Sequence, residues 1–357
     1  MTTAVLATQP NLWLRDRRWD LTFLIGSAVL AAVPLTLFYG FHVSTTAINF
    51  LVAGLVGGPH LYATYGYTVL EPSFRKQYRW LLLPCVMIPF AVGWLALRNI
   101  TLLLTIFFFW ASVHVLHQIA YITDAYRHKD PRPRSFWNRA IDYGLIFTGL
   151  YVFATPKLIR GEFVVGGDHP LLVPEFARRE WLGFAIAAVF LTFLVLYIVK
   201  TVREHREGRL NIPSVALVSV TTVVSLLVPT FSNLDVAFHG YNTWHSFQYL
   251  ALVWYINKLR KEHGEITNRV VEAVSGDGRH WAFYGLNILI TGAAFALIMV
   301  LYHGVGLSWP QAYYSVVLGS LLVHYYIDHY AFTRFGAVVR EPSPSGLAQE
   351  SLVLATT

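Results

Sequence analysis

Apolar residues run along this chain in blocks of about twenty, set apart by short polar segments rich in Arg, Lys, Pro and Gly. A block of that length matches the roughly 30 Å of hydrocarbon that an α-helix crosses at 1.5 Å per residue. The pattern predicts about ten spans, over 21–41, 47–70, 80–97, 100–124, 140–159, 181–201, 212–230, 236–259, 282–303 and 312–335. Segments such as "KDPRPRS", "GGDHPLLVPE" and "LSWPQ" punctuate them as turns. Membrane β-strands would give shorter, alternating segments. The expected fold class is therefore all-α, a polytopic transmembrane helix bundle. Residues 1–340 form one integral-membrane domain, followed by a Pro/Ser-rich tail, 341–357, expected to be disordered and cytoplasmic.

Composition supports that reading. The chain is 55% hydrophobic and 13% charged, about half the charged share of an ordinary soluble protein. A sequence pI of 9.4 could suggest nucleic acid, but the placement of the charges argues otherwise. Of 27 Lys and Arg, 22 fall in the N-terminal tail and after the even-numbered spans, and only Arg98, Lys157, Arg160, Arg178 and Arg179 fall on the other side. The positive-inside rule then places both termini in the cytoplasm, in a bacterial-type inner membrane. The start of the chain lacks the charged and small-residue features of a cleaved signal, so the first span should be retained. The single cysteine, Cys85, excludes an internal disulfide or a Cys-rich metal site and reads as a small buried hydrophobe. The long segment between the fifth and sixth spans is expected to cap the outer side, with His169 an ordinary surface histidine.

The polar exceptions inside the spans are mostly histidines, and they fall on even-numbered spans. "GGPHLYATY" carries His60, "HVLHQIAYITD" carries His114 and His117, "HGYNTWHSFQY" carries His239 and His245, and "LLVHYYIDHYAF" carries His324 and His329. Counted along each helix from its cytoplasmic end, His60, His114 and His324 lie near ~15 Å, His117 near ~12 Å and His245 near ~19 Å. His239, near ~28 Å, and His329, near ~7 Å, fall outside that layer. Ionisable groups are expensive in hydrocarbon and usually mark function. Five imidazoles at one depth, His60, His114, His117, His245 and His324, are thus the expected metal ligands. Asp328, on the face of His324, is either a ligand or its orienting partner. Gln118, Gln248 and Tyr249 stand behind the ligands or face substrate.

Imidazoles with nearby carboxylates and no thiolate suit iron, copper or zinc. Iron in a dry layer would favour oxygen activation on a lipid or isoprenoid, with Asp328, Tyr249 and Gln248 as candidate catalytic residues and a cytoplasmic electron donor as a candidate partner. Two other classes stay open: a b-type haem or quinol-linked redox protein with facing axial histidines, and a proton-coupled transporter relaying protons through His114, His117, His324 and Asp328.

The segments "NTWHSFQYLALVWY" and "GLVGGPHLYATY" resemble the two histidine motifs, "WHS" and "GlpHG", of the Brp/Blh-type membrane carotene-cleaving dioxygenases. That resemblance implies a multi-span protein in which His60 and His245 hold iron for cleavage of an isoprenoid. The chain departs from the family at two positions: Tyr249 stands where the family has a second histidine, and Leu61 where it has a glycine. The membrane fatty-acid desaturases and hydroxylases offer a chemical analogy in their histidine-held irons, but this chain has no HxxHH box.

Overall fold

A computed structural model describes residues 11–132, 135–166 and 169–334, and of residues 333 and 334 the backbone alone. The 341–357 tail lies outside the described residues, as does residue 335. Among the described residues, ten long helical segments occupy the ten expected positions. They are α1 Arg17–Gly40, α2 45–67, α3 Arg79–Arg98, α4 Ile100–His128, α5 136–159 with a turn at Leu150, α6 Glu180–Arg206, α7 Ile212–Thr230, α8 Leu234–Glu262, α9 His280–Gly304 and α10 Trp309–Arg334. The hydrophobic blocks underestimate several C-terminal ends, since α4, α6 and α8 continue through basic turns. Cations are favourable at a helix C-terminus, where the backbone carbonyls are unpaired. At the other end, Asn99, Asn211 and Asn233 cap α4, α7 and α8 by accepting N–H groups of the first turn.

Six of the helices, α1, α3, α4, α6, α7 and α9, are long and apolar enough to cross a membrane. The long α8 and α10 are less apolar because they carry the buried polar side chains, while α2 and α5 are interrupted. Burial runs opposite to hydropathy. The most apolar helix, α6, has mean hydropathy 2.7 and only 11% of that stretch buried, whereas α4, at 1.8, is 50% buried. Phe184, Leu191, Ile198 and Val199 on α6 all face outward. A water-soluble protein does not expose apolar surface on that scale, so lipid is the solvent for this face.

The interior is built on α4 and α8, whose Tyr126, Trp244 and Tyr249 are among the largest fully buried side chains. The helices α2, α4, α8 and α10 pack on one another, and α1 closes against α8. Close approach is local: a Cβ on Gly240 of α8 would lie 2.4 Å from the Ala31 carbonyl oxygen of α1. In α2, a π-helical turn over Ala53–Gly57 precedes Gly58 and Pro59. Proline cannot donate to the carbonyl four residues back, and that Leu55 oxygen instead accepts the Tyr284 hydroxyl at 2.5 Å.

The segment after α5 departs from pure helix. It forms a two-residue antiparallel pair, β1 Val164–Val165 with β2 His169–Pro170, packed against α8 and α4. His169 is not simply a surface residue, since its Nδ1 lies 3.0 Å from the Thr101 hydroxyl and fastens the strand to α4. Phe163 and Leu171 are buried in a small apolar cluster with Phe108 at this end of the bundle.

Substituting Gly240→Val should force α1 and α8 apart. Overpacking of this kind costs about 1–3 kcal/mol, so the variant should unfold at a lower temperature than the unmodified protein in a detergent melt.

Candidate metal centre

Four of the five expected ligands converge. His60 of α2, His114 of α4, His245 of α8 and His324 of α10 each offer one ring nitrogen, and these four nitrogens lie within 4.8 Å of one another. The rings form a closed quadrilateral. Centroid separations are 4.5 Å for His60–His324, 4.8 Å for His324–His114, 5.0 Å for His114–His245 and 4.8 Å for His245–His60, and each pair meets edge to face. His60 and His114 face each other across it at 6.5 Å. All four side chains are at least 98% buried.

The hydrogen-bond census identifies which atoms the group leaves free. Nε2 of His60, His114 and His324, and both ring nitrogens of His245, are buried with no partner among the described residues. Buried polar atoms are otherwise almost always paired, and each exception calls for an explanation. The opposite edges of two rings are fixed. His60 Nδ1 donates to the Gly57 carbonyl at 3.3 Å and lies 3.2 Å from the Ser246 hydroxyl. His324 Nδ1 lies 2.5 Å from Thr64 Oγ1. The Gly57 carbonyl can only accept, which puts the proton of His60 on Nδ1 and leaves its Nε2 lone pair facing the centre. In a tetrahedral set with bonds near 2.0–2.1 Å the ligand nitrogens lie about 3.4 Å apart, so the four rings would have to draw in by up to about 1.4 Å to close on one ion. Four neutral imidazoles with no thiolate suit iron, copper or zinc, and the residues present fit such an ion.

Behind His324 stands a hydroxyl network that converges on Asp328. Tyr249 and Tyr67 donate to Asp328 Oδ1 at 2.8 and 3.0 Å, and Thr64 lies 2.5 Å from the Tyr249 hydroxyl and 3.3 Å from the same carboxylate oxygen. Asp328 Oδ2 lies 3.5 Å from His324 Nδ1. The carboxylate is thus the orienting partner of His324, acting directly and through Thr64, and not a member of the four-ring group. Thr64 and Tyr67 escaped the sequence reading. The signal was present, because they follow His60 by four and seven residues and so continue its face of α2. Tyr325 also went unnoticed, and its ring stacks on His114 at 4.2 Å.

One expectation needs correction, and two open alternatives are narrowed. His117 is not in the group: its ring lies 4.6 Å from His329 and 5.5 Å from Phe332. Three residues turn it about 60° from His114 and carry it about one turn toward the helix C-terminus, which brings it level with His329. Gln248 stands behind the ligands, one of its two expected placements. It accepts Gln118 Nε2 at 2.7 Å and donates to the Leu24 carbonyl at 2.5 Å, while Gln118 also bonds the His245 carbonyl. The two amides clamp α4, α8 and α1 together beside His245. Tyr249 likewise stands behind the ligands, its hydroxyl committed to Asp328 and Thr64. His239, beside Phe238 near the start of α8, stays outside the group as expected.

Set against known proteins, the chain matches no family model, no curated protein and no solved structure.

Replacing His324 with Ala should abolish binding of an added transition metal, measured by equilibrium dialysis of the purified protein, while His117→Ala and His239→Ala should leave it intact. Asp328→Asn should weaken binding about 10- to 100-fold, the usual effect of losing a ligand's orienting partner.

Proposed function

We propose that this protein is a membrane-embedded, histidine-liganded iron oxidoreductase that oxidises a lipid or isoprenoid with dioxygen. The single observation that carries the reading is the set of unpartnered imidazole nitrogens turned to one point inside an apolar bundle. His60, His114, His245 and His324 would hold the ion, and iron bound there would supply oxygen activation. The remaining work falls to the chain itself. Thr64 and Asp328 hold the proton on His324 Nδ1, and Gly57 and Ser246 do the same for His60. The packed aromatics Tyr325 and Phe332 help exclude water from the rings.

A lipid-soluble substrate follows from the depth of the site. Helices α3, α6 and α9 present apolar faces around the bundle, and an apolar chain can approach through them without passing through water. The two segments that resemble the Brp/Blh-type carotene-cleaving dioxygenases supply two of the four ligands, His60 and His245. This supports an isoprenoid as the substrate class. In this reading all ten helices span, the chain lies in a bacterial-type inner membrane, and the 22 basic residues put both termini and any electron donor on the cytoplasmic side.

The crowding of the rings disfavours haem. A porphyrin needs two facing imidazoles held apart by its plane, and four rings at 4.5–5.0 Å around one point leave no slot for it. Proton-coupled transport would need no resident metal.

Metal analysis of protein purified without chelators, with an absorption spectrum of the same sample, tests the proposal. About one equivalent of iron per chain and no Soret band are expected. Less than about 0.2 equivalents of any transition metal would overturn the reading, and pH-dependent flux in metal-free proteoliposomes would replace it with transport.

A further inference from the structure

A second polar site lies well away from the histidines, where α4 and α6 end. A cavity of about 150 Å³ opens there. Four guanidinium groups line it, from Arg127, Arg132, Arg203 and Arg209, against the carboxylates of Asp130 and Glu204. Both carboxylates are already committed. Asp130 takes a two-point pair from Arg132 at 2.6 and 2.5 Å, and Glu204 accepts Arg127 Nη1 at 3.1 Å. Arg127 is the buried member, with its side chain 9% exposed and its Nε 3.5 Å from Asp142, which Lys200 also engages. Its Nη2 is buried with no hydrogen-bond partner among the described residues. Arg203 makes no ion pair among those residues, and Ser135 and Asn138 add neutral donors to the wall. Arg209 is ion-paired with Glu207, so the cavity offers one guanidinium without an ion-pair partner among the described residues, Arg203, and one unsatisfied N–H on Arg127, the makings of an anion site.

The neighbourhood says where the anion comes from. Phe136 and Trp137 follow Ser135 directly, are 73% and 72% exposed, and touch each other with centroids 5.4 Å apart. Large aromatics exposed at the end of an apolar helix settle at the level of lipid headgroups. Here they adjoin Ser135 of the cavity wall, on the side that carries most of the basic loops.

We infer that this cavity binds the phosphate of an anionic phospholipid headgroup, with the Arg127 and Arg203 guanidinium groups as the principal contacts and Phe136 and Trp137 beside the acyl chains. The bound lipid ties the ends of α4 and α6 together on one leaflet. The inference is independent of the chemistry proposed at the histidine centre.

Thermal unfolding of the full chain in neutral detergent micelles tests it, with titrations of phosphatidylglycerol, phosphatidylcholine and glycerol 3-phosphate. Phosphatidylglycerol should raise the unfolding midpoint, and the other two should not. Each arginine near an anionic surface is worth about fivefold in affinity, so the double variant R203Q/R209Q, at two exposed positions, should need about 25-fold more phosphatidylglycerol for the same shift. Arg98→Gln, at the opposite end of the bundle, should behave as the unmodified protein. At about 1 M salt, where the Debye length is about 3 Å, the phosphatidylglycerol shift should shrink in the unmodified protein. An equal shift with phosphatidylcholine, an unchanged titration of the double variant, or a shift undiminished by high salt each overturns the inference. Stabilisation by glycerol 3-phosphate as strong as by phosphatidylglycerol overturns the membrane source and assigns a soluble phosphate instead.

Discussion

An imidazole nitrogen buried without a partner is costly anywhere in a protein, and more so where no water can reach it. Here Nε2 of His60, His114 and His324 and both nitrogens of His245 share that condition, and one nitrogen from each ring converges on a common point. One cation at that point satisfies all four rings together, which no side chain in the neighbourhood does. Much of the surrounding structure can be understood as holding the rings toward this centre. Gly57, Ser246 and Thr64 engage the opposite ring edges, and Asp328 gathers three hydroxyls behind His324. Gln118 and Gln248 set α8 against α4 and α1 beside His245.

The backbone contributes through its irregularities. The π-turn over Ala53–Gly57 and the Gly58–Pro59 pair bring α2 close to α9, where a Cβ on Gly58 would meet the Thr291 side chain at 2.5 Å. Helix α1 changes from a π-helical to a 3₁₀ winding between Asp20 and Ala31, and the Leu24 carbonyl within that stretch accepts Gln248. Such departures are frequent at functional sites because they free backbone groups and shift side-chain phase. Outside, the distribution is inverted relative to a soluble protein. The peripheral helices carry the apolar side chains, and the polar ones are kept inside or at the ends. The Arg127, Asp142, Lys200 and Glu204 cluster belongs to one such end, where charges neutralise one another while remaining near water.

The all-α class, the positions of the ten helices and the common level of four of the histidines were legible from the order of residues alone. Each depends on length along a helix: about twenty apolar residues define a span, and 1.5 Å per residue defines a depth. Depth was enough to find His60, His114, His245 and His324, and to set His239 aside. It also admitted His117, because a position counted along one axis carries no information about which neighbour a side chain faces. The same blindness left open whether Gln248 and Tyr249 stand behind the ligands or face substrate, and passed over Thr64 and Tyr67.

What only the tertiary structure decided is azimuth. The rotation of each helix about its own axis sends His114 to the four-ring group and His117 to His329 and Phe332, although the two sit three residues apart on one helix. That rotation is set by contacts between segments distant in the chain: Gly240 against Ala31, Gln248 against Leu24, Thr64 against His324. Hydrophobic periodicity cannot foresee it, since lipid-facing and core-facing positions of a membrane helix are both apolar and leave no polar face to mark the outside.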